Sequence, residues 1–119
     1  MDPEAAQQTL TRAALRAAEL LDIPQAELGH ILGVSPATVS RMAGGRYVLQ
    51  PDRKEWQLAA LFIRLFRSLD SITGGREDLS RAWLHSPNRA LSGIPADLLT
   101  NVESLVRVVH YLDVSRAVI

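Results

Sequence analysis

Cysteine is absent from this chain of 119 residues. That excludes a disulfide framework and a thiolate zinc site, and it fits a cytoplasmic protein. Net charge is missing too, because 13 basic residues balance 13 acidic ones. The broad positive field of a tight non-specific nucleic-acid binder is therefore lacking, and any DNA contact must rest on a local site. No uncharged apolar run reaches the roughly 18 residues of a membrane-spanning helix. The start, Met1-Asp2-Pro3-Glu4, is acidic and has no apolar stretch behind it, so no secretory leader is expected. Lysine is reduced to Lys54, and every other basic residue is an arginine, the side chain suited to forked contacts with phosphate, guanine or carboxylate. Alternating strand patterns, internal repeats and low-complexity segments are also missing.

What is present is apolar content of 47%, enough for a real core in one domain or in two intimately packed lobes. The chain reads as all-α. Asp2 and Pro3 start a first helix whose Leu10, Ala14, Ala17 and Leu21 recur at helical spacing. Pro24 ends it and opens a second helix over Gln25–Leu32. Ser35 caps a third with Pro36 at its first position, and Gly44-Gly45 stops it. A loop follows from Arg46 to Asp52.

Arg53–Ile72 is a long helix with Trp56, Ala59, Phe62, Ile63, Phe66 and Leu69 on one side and Leu58, Leu61 and Leu65 beside them. That stripe is wider than one amphipathic face needs, which fits a central core helix, a homodimer seam, or both. Gly74-Gly75 divides the chain into residues 1–73 and 74–119. Glu77 begins a helix through His85, Pro87-Asn88 breaks it, and Ser92-Gly93-Ile94-Pro95 forms a turn in which Gly93 is expected to allow tight backbone geometry. A last helical region runs from Ala96 to Ala117, with an interruption near Thr100-Asn101.

The stretch "QAELGHILGVSPATVSRMAGGR" (Gln25–Arg46) carries the first chemistry. Two helices that cross closely need a tiny residue at the crossing, here Gly29. The turn needs one that tolerates positive φ, here Gly33. Leu28, Leu32, Val34, Val39 and Met42 supply the apolar lock. Pro36, Ala37, Ser40 and Arg41 are left outward, with Thr38 at the edge. Such small side chains let a helix lie deep in the major groove, where Arg41 reaches base edges. A forked contact to guanine contributes about 1–3 kcal/mol of discrimination. Ala37 suits a thymine methyl. Ser35 and Gln25, at helix N-termini, suit phosphate oxygens. Arg46, with Arg12 and Arg16, adds phosphate candidates. This stretch resembles the phage-repressor and Cro-like helix-turn-helix family, departing from it at Pro36, where relatives carry a polar base-reading side chain. One such module has a small interface, so a homodimer on an inverted repeat is expected, with half-sites about 34–36 Å apart.

The second informative segment is "AWLHSPNRALSGIPADLL" (Ala82–Leu99). On residue physics alone it is a compact helical lobe with a structured turn. Its pattern of Trp83, Pro87, Asn88, Ala90, Leu91, Gly93, Pro95, Asp97, Leu98 and Leu99 resembles the C-terminal domain of the Xre/MbcA/ParS-type antitoxins. The resemblance implies a type II antitoxin whose partner is a RES-domain toxin that consumes NAD. The second lobe would cover the toxin's active-site entrance, while the helix-turn-helix represses the operon. The toxin-binding residues it implies here are Trp83, Pro87, Asn88, Arg89, Leu91, Tyr111 and Arg116. The apolar end Ala117-Val118-Ile119 fits either a tail that waits for a partner or one that docks on its own lobe.

Other chemistry is not apparent. His30, His85 and His110 are too scattered for a metal triad, no glycine-rich phosphate loop is present, and no serine has a nucleophile's context. Neither an enzyme nor a cofactor or metal is expected. The competing reading is a stand-alone Xre-like repressor whose second lobe dimerises or senses a ligand.

Overall fold

The computed structural model describes residues 2–117, and the apolar tail residues Val118 and Ile119 lie outside it. Among the described residues six α-helices follow in chain order: α1 (Pro3–Leu20), α2 (Gln25–Leu32), α3 (Pro36–Ala43), α4 (Lys54–Ile72), α5 (Glu77–Leu84) and α6 (Val102–Ala117). A short 3-10 turn, Pro95–Leu98, precedes α6. Among the described residues there is no strand, only an isolated bridge between Asn88 and Gly93. No described helix is long and apolar enough to cross a membrane.

Local chemistry accounts for most element ends. Asp2 accepts from the Glu4 N–H, with Pro3 at the first helical position. Ser35 accepts from the Thr38 N–H and Pro36 again starts the helix. Asn101 accepts from the Ser104 N–H at 3.0 Å, so the interruption expected near Thr100-Asn101 is a true break with its own cap. The lead-in from Pro95 is a 3-10 turn because its residues bridge two helices rather than extend one.

The crossing of α2 and α3 is as tight as the glycines suggest. A Cβ on Gly29 would sit 3.0 Å from the Val34 carbonyl oxygen and 3.3 Å from Val39 Cγ2. Gly33 takes φ 71°, the left-handed conformation that ends α2. Leu28, Leu32, Val39 and Met42 are buried behind this crossing, with Val34 partly so.

α4 organises the rest. It packs on α1 and α2 along one side, most extensively on α6 along another, and touches α5. Its stripe is wide because Phe62, Leu65 and Leu69 serve cores on more than one side, leaving Trp56, Leu58, Leu61 and Phe66 half-buried at the edges. The buried residues of all six helices form one continuous cluster. Two further bonds tie α5 to the end of α1. Arg81 Nη1 donates to the Leu20 carbonyl at 3.2 Å, and His85 Nε2 lies 2.8 Å from the Leu21 carbonyl.

The loop before α4 is more ordered than its composition suggests. Leu49 is buried, its N–H donates to Thr11 Oγ1 at 2.9 Å, and Gln7 Nε2 donates to its carbonyl. Glu55, also buried, accepts from Tyr47 OH at 2.6 Å and from the Gln50 N–H at 3.0 Å through the same oxygen.

Two outcomes follow from these contacts. Gly29→Ala should lower stability by about 1–3 kcal/mol, because the backbone oxygen opposite cannot swing away. The shift would appear in the urea midpoint at unchanged slope. Burial, then the bond to Glu55 and its charge, raise the Tyr47 pKa above the ordinary 10.0. The folded state therefore holds the phenol proton more tightly than the unfolded chain. That stability is complete below pH 10.0 and is lost as pH rises through the raised value. A series of melting temperatures against pH should show this alkaline loss, and Tyr47→Phe should remove it.

Candidate nucleic-acid interface and partner surface

On α3 the buried side is Val39 and Met42, and the opposite side carries Pro36, Ala37, Ser40 and Arg41, all exposed, with Thr38 at the margin. A line of hydrogen bonds runs along this outer side. Ser35 Oγ and Thr38 Oγ1 are 3.0 Å apart, and Arg41 Nη2 donates to Thr38 Oγ1 at 3.2 Å. Residues three apart on a helix are neighbours, so one cap hydroxyl holds Thr38 and Thr38 in turn holds the arginine. The guanidinium is thereby oriented before it meets any ligand.

Gln25 opens α2 and is exposed, as is Ser35. Arg46 folds over the end of α3, its Nε 3.4 Å from where a Cβ on Gly44 would stand. The absence of that side chain leaves room for the guanidinium. Between Glu27 and Asp52 the sequence holds no acidic residue, while His30, Arg41 and Arg46 fall inside that span. A neutral chain thus carries a locally positive segment, the kind of patch that attracts phosphate. Arg12 and Arg16 are exposed on α1, with Arg16 paired to Glu19 at 3.3 Å.

In the second half the arrangement is different. Trp83 of α5 stacks on Tyr111 of α6, ring centroids 6.3 Å apart and planes 18° apart. Both rings are half-buried, so each keeps an accessible edge. The loop between them is closed at both ends. Asn88 N–H donates to the Gly93 carbonyl at 2.8 Å, the Gly93 N–H returns the bond at 3.2 Å, and Asn88 Oδ1 accepts from the Leu91 N–H at 3.0 Å. Arg107 Nη2 donates to the Leu91 carbonyl at 2.6 Å. Pro87 and Arg89 project from this loop into solvent.

Three expectations need correction. Leu91 is only 2% exposed, so its side chain belongs to the core and is not open to a partner. Ser92, not Gly93, takes the left-handed conformation in the turn, with φ 58°. Gly93 has space for a side chain, since a Cβ there would meet Leu98 at an ordinary 3.7 Å. Arg116 does not join Trp83 and Tyr111. Five residues beyond Tyr111 on α6, it faces a groove of about 560 Å³ that includes Leu10, Trp56, Arg64 and Arg67.

Sequence reasoning missed Arg107, whose contact with Leu91 only the fold creates. It also missed Asp113, which pairs with Arg64 and accepts from Ser68 Oγ at 2.8 Å. Among the described residues no group of His, Asp and Glu gathers in a number that would hold a metal ion.

Comparison with known proteins adds to this geometry. The model of the antitoxin Xre-like helix-turn-helix domain matches residues 2–64. That of the antitoxin Xre/MbcA/ParS C-terminal toxin-binding domain matches residues 68–117. Among solved structures, a chain of the M. tuberculosis MbcT-MbcA toxin-antitoxin complex superposes with a TM-score of 0.66 and 27% identity, covering 92% of this chain and 96% of that one. No curated protein matches.

The closed loop gives a direct test. Asn88→Ala leaves the N–H of buried Leu91 without its partner, which should cost about 1–3 kcal/mol. Thermal or urea unfolding reads this loss, while the line from Ser35 to Arg41, on a different element, should be unaffected.

Proposed function

This chain belongs to the Xre/MbcA/ParS antitoxin family, and we propose from there that it neutralises a RES-domain, NAD-consuming toxin by covering the toxin's active-site entrance and represses its own operon through α3. Labour is divided by lobe, with residues 1–73 reading DNA and dimerising and residues 74–119 holding the toxin. The chain acts in the cytoplasm, as a binder and not as an enzyme.

One observation carries this reading. The outer side of α3 is lined with small residues and a pre-oriented Arg41, while the Trp83–Tyr111 stack stands half-open on other elements. Small side chains let the α3 backbone approach the floor of a major groove, and Arg41 reads a guanine there. Ser35, Gln25 and Arg46 hold phosphates on either side, with Thr38, Ser40 and Ala37 against the base edges. Two copies on an inverted repeat supply the affinity that one small module lacks.

The toxin side is supported by different chemistry. Trp and Tyr offer large, rigid contact area with a polar tip, and they recur where binding energy concentrates. Pro87, Asn88 and Arg89 frame them on a loop whose backbone is already hydrogen-bonded, so little order has to be gained on binding.

Growth rescue and operator binding separate the two roles. Arg41→Ala should lower operator affinity by about 1–3 kcal/mol or more and leave rescue of cells expressing the RES-domain toxin intact. Trp83→Ser should do the reverse. A chain that rescues no toxin, with no RES-like gene beside its own, would leave a stand-alone repressor as the better reading.

A further inference from the structure

Large apolar side chains in water are informative when they cluster. Among the described residues, those that stand exposed are Leu79 at 44%, Val102 at 57%, Val106 at 46% and Val114 at 51%. All of them fall in residues 68–117, the segment matched by the toxin-binding domain, and none in residues 2–64. The first lobe covers its large hydrophobic residues, and the second does not.

Their placement is regular. Val102, Val106 and Val114, with His110 in the gap, step along α6 at intervals of four, which makes a slanted ridge on one side of a helix. The buried side of α6 is Leu105, Val108, Val109 and Leu112, so the ridge faces away from the core. Its middle borders a shallow groove of about 370 Å³ lined by Glu103, Ser104, Val106, Arg107 and His110. The ridge also continues to the aromatic stack, since Val114 is one turn from Tyr111 on α6, Tyr111 stacks on Trp83, and Leu79 is one turn from Trp83 on α5.

We propose that this belt, from Leu79 through Trp83 and Tyr111 to Val114, Val106 and Val102, is the surface that docks the toxin, which must offer a matching apolar face. The proposal rests on the toxin-binding reading above. Confinement of the exposed apolar side chains to the toxin-binding segment is the reason to assign the toxin, rather than a second copy, as the occupant. The belt extends the interface from the Trp83–Tyr111 stack along the outer side of α6.

The test uses the full chain and the purified, catalytically inactive RES-domain toxin that the reading above assigns to it. Val106→Glu and Val114→Glu are made separately and together. Both positions are exposed, so the fold should survive, and circular dichroism checks that it does. Burying a carboxylate in an apolar interface should weaken toxin binding about a hundredfold for the pair. The free chain's mass and its operator affinity should not change. Toxin binding within twofold of wild type overturns the belt while leaving the antitoxin reading in place, because the wild-type complex still forms. Loss of the free homodimer with toxin binding intact also overturns it, and gives the ridge to a second copy. A wild-type chain that binds no toxin overturns the belt together with the reading it rests on. Leu79→Glu, on α5, provides a second variant should the α6 changes disturb the fold.

Discussion

The structure depends on α4 being shared between the two halves of the chain. Phe62, Leu65 and Leu69 are fully or almost fully buried, and the helix that carries them packs on α1 and α2 as well as on α6. A helix shared in this way joins the two halves into one hydrophobic core. Close-packed interiors transmit displacement instead of absorbing it, so the α3 face and the aromatic stack sit on one scaffold in a defined relation. Arg81 and His85 reinforce that relation by holding the last carbonyls of α1 from α5, immediately before the chain turns into α2.

Around this scaffold, polar side chains act locally and at short range. One carboxylate oxygen of Glu55 holds both Tyr47 and the Gln50 backbone, and Thr11 ties Leu49 to α1. Ser35, Thr38 and Arg41 form a line on α3, and Asn88 closes the loop that Arg107 then braces. None of the buried side-chain nitrogen or oxygen atoms among the described residues lacks a partner. Unpaired polar groups in the interior are costly, so a small domain with several buried polar residues has to satisfy each of them. Each of these ties also arranges something that faces solvent, whether an arginine, a loop or a turn.

The helix-turn-helix was legible because its constraints are local. Gly29 answers a contact with Val34 and Val39 a few residues away, Gly33 answers its own φ, and Ser35 caps the helix that it begins. Helix boundaries marked by Asp2-Pro3, Pro24 and Gly44-Gly45 follow from the same short-range chemistry. The second lobe was harder to read. The resemblance implied Leu91 as a partner contact, but its side chain is buried in the core, next to the left-handed turn at Ser92. Arg116 looked continuous with Tyr111 in sequence, and the pitch of α6 carries it to another side.

Composition, caps and glycine positions therefore suffice for the all-α class, for the order of the helices and for the outward set on α3, because each is decided within a turn or two of chain. Which sides of α4 and α6 are covered depends on residues tens of positions apart, such as Ser68 of α4 with Asp113 of α6. A stripe of valines reads the same whether it is buried or bare. Only the packing of α6 against α4 buries Leu105, Val108, Val109 and Leu112 and leaves Val102, Val106 and Val114 in water, since a helix can turn just one side toward its neighbour.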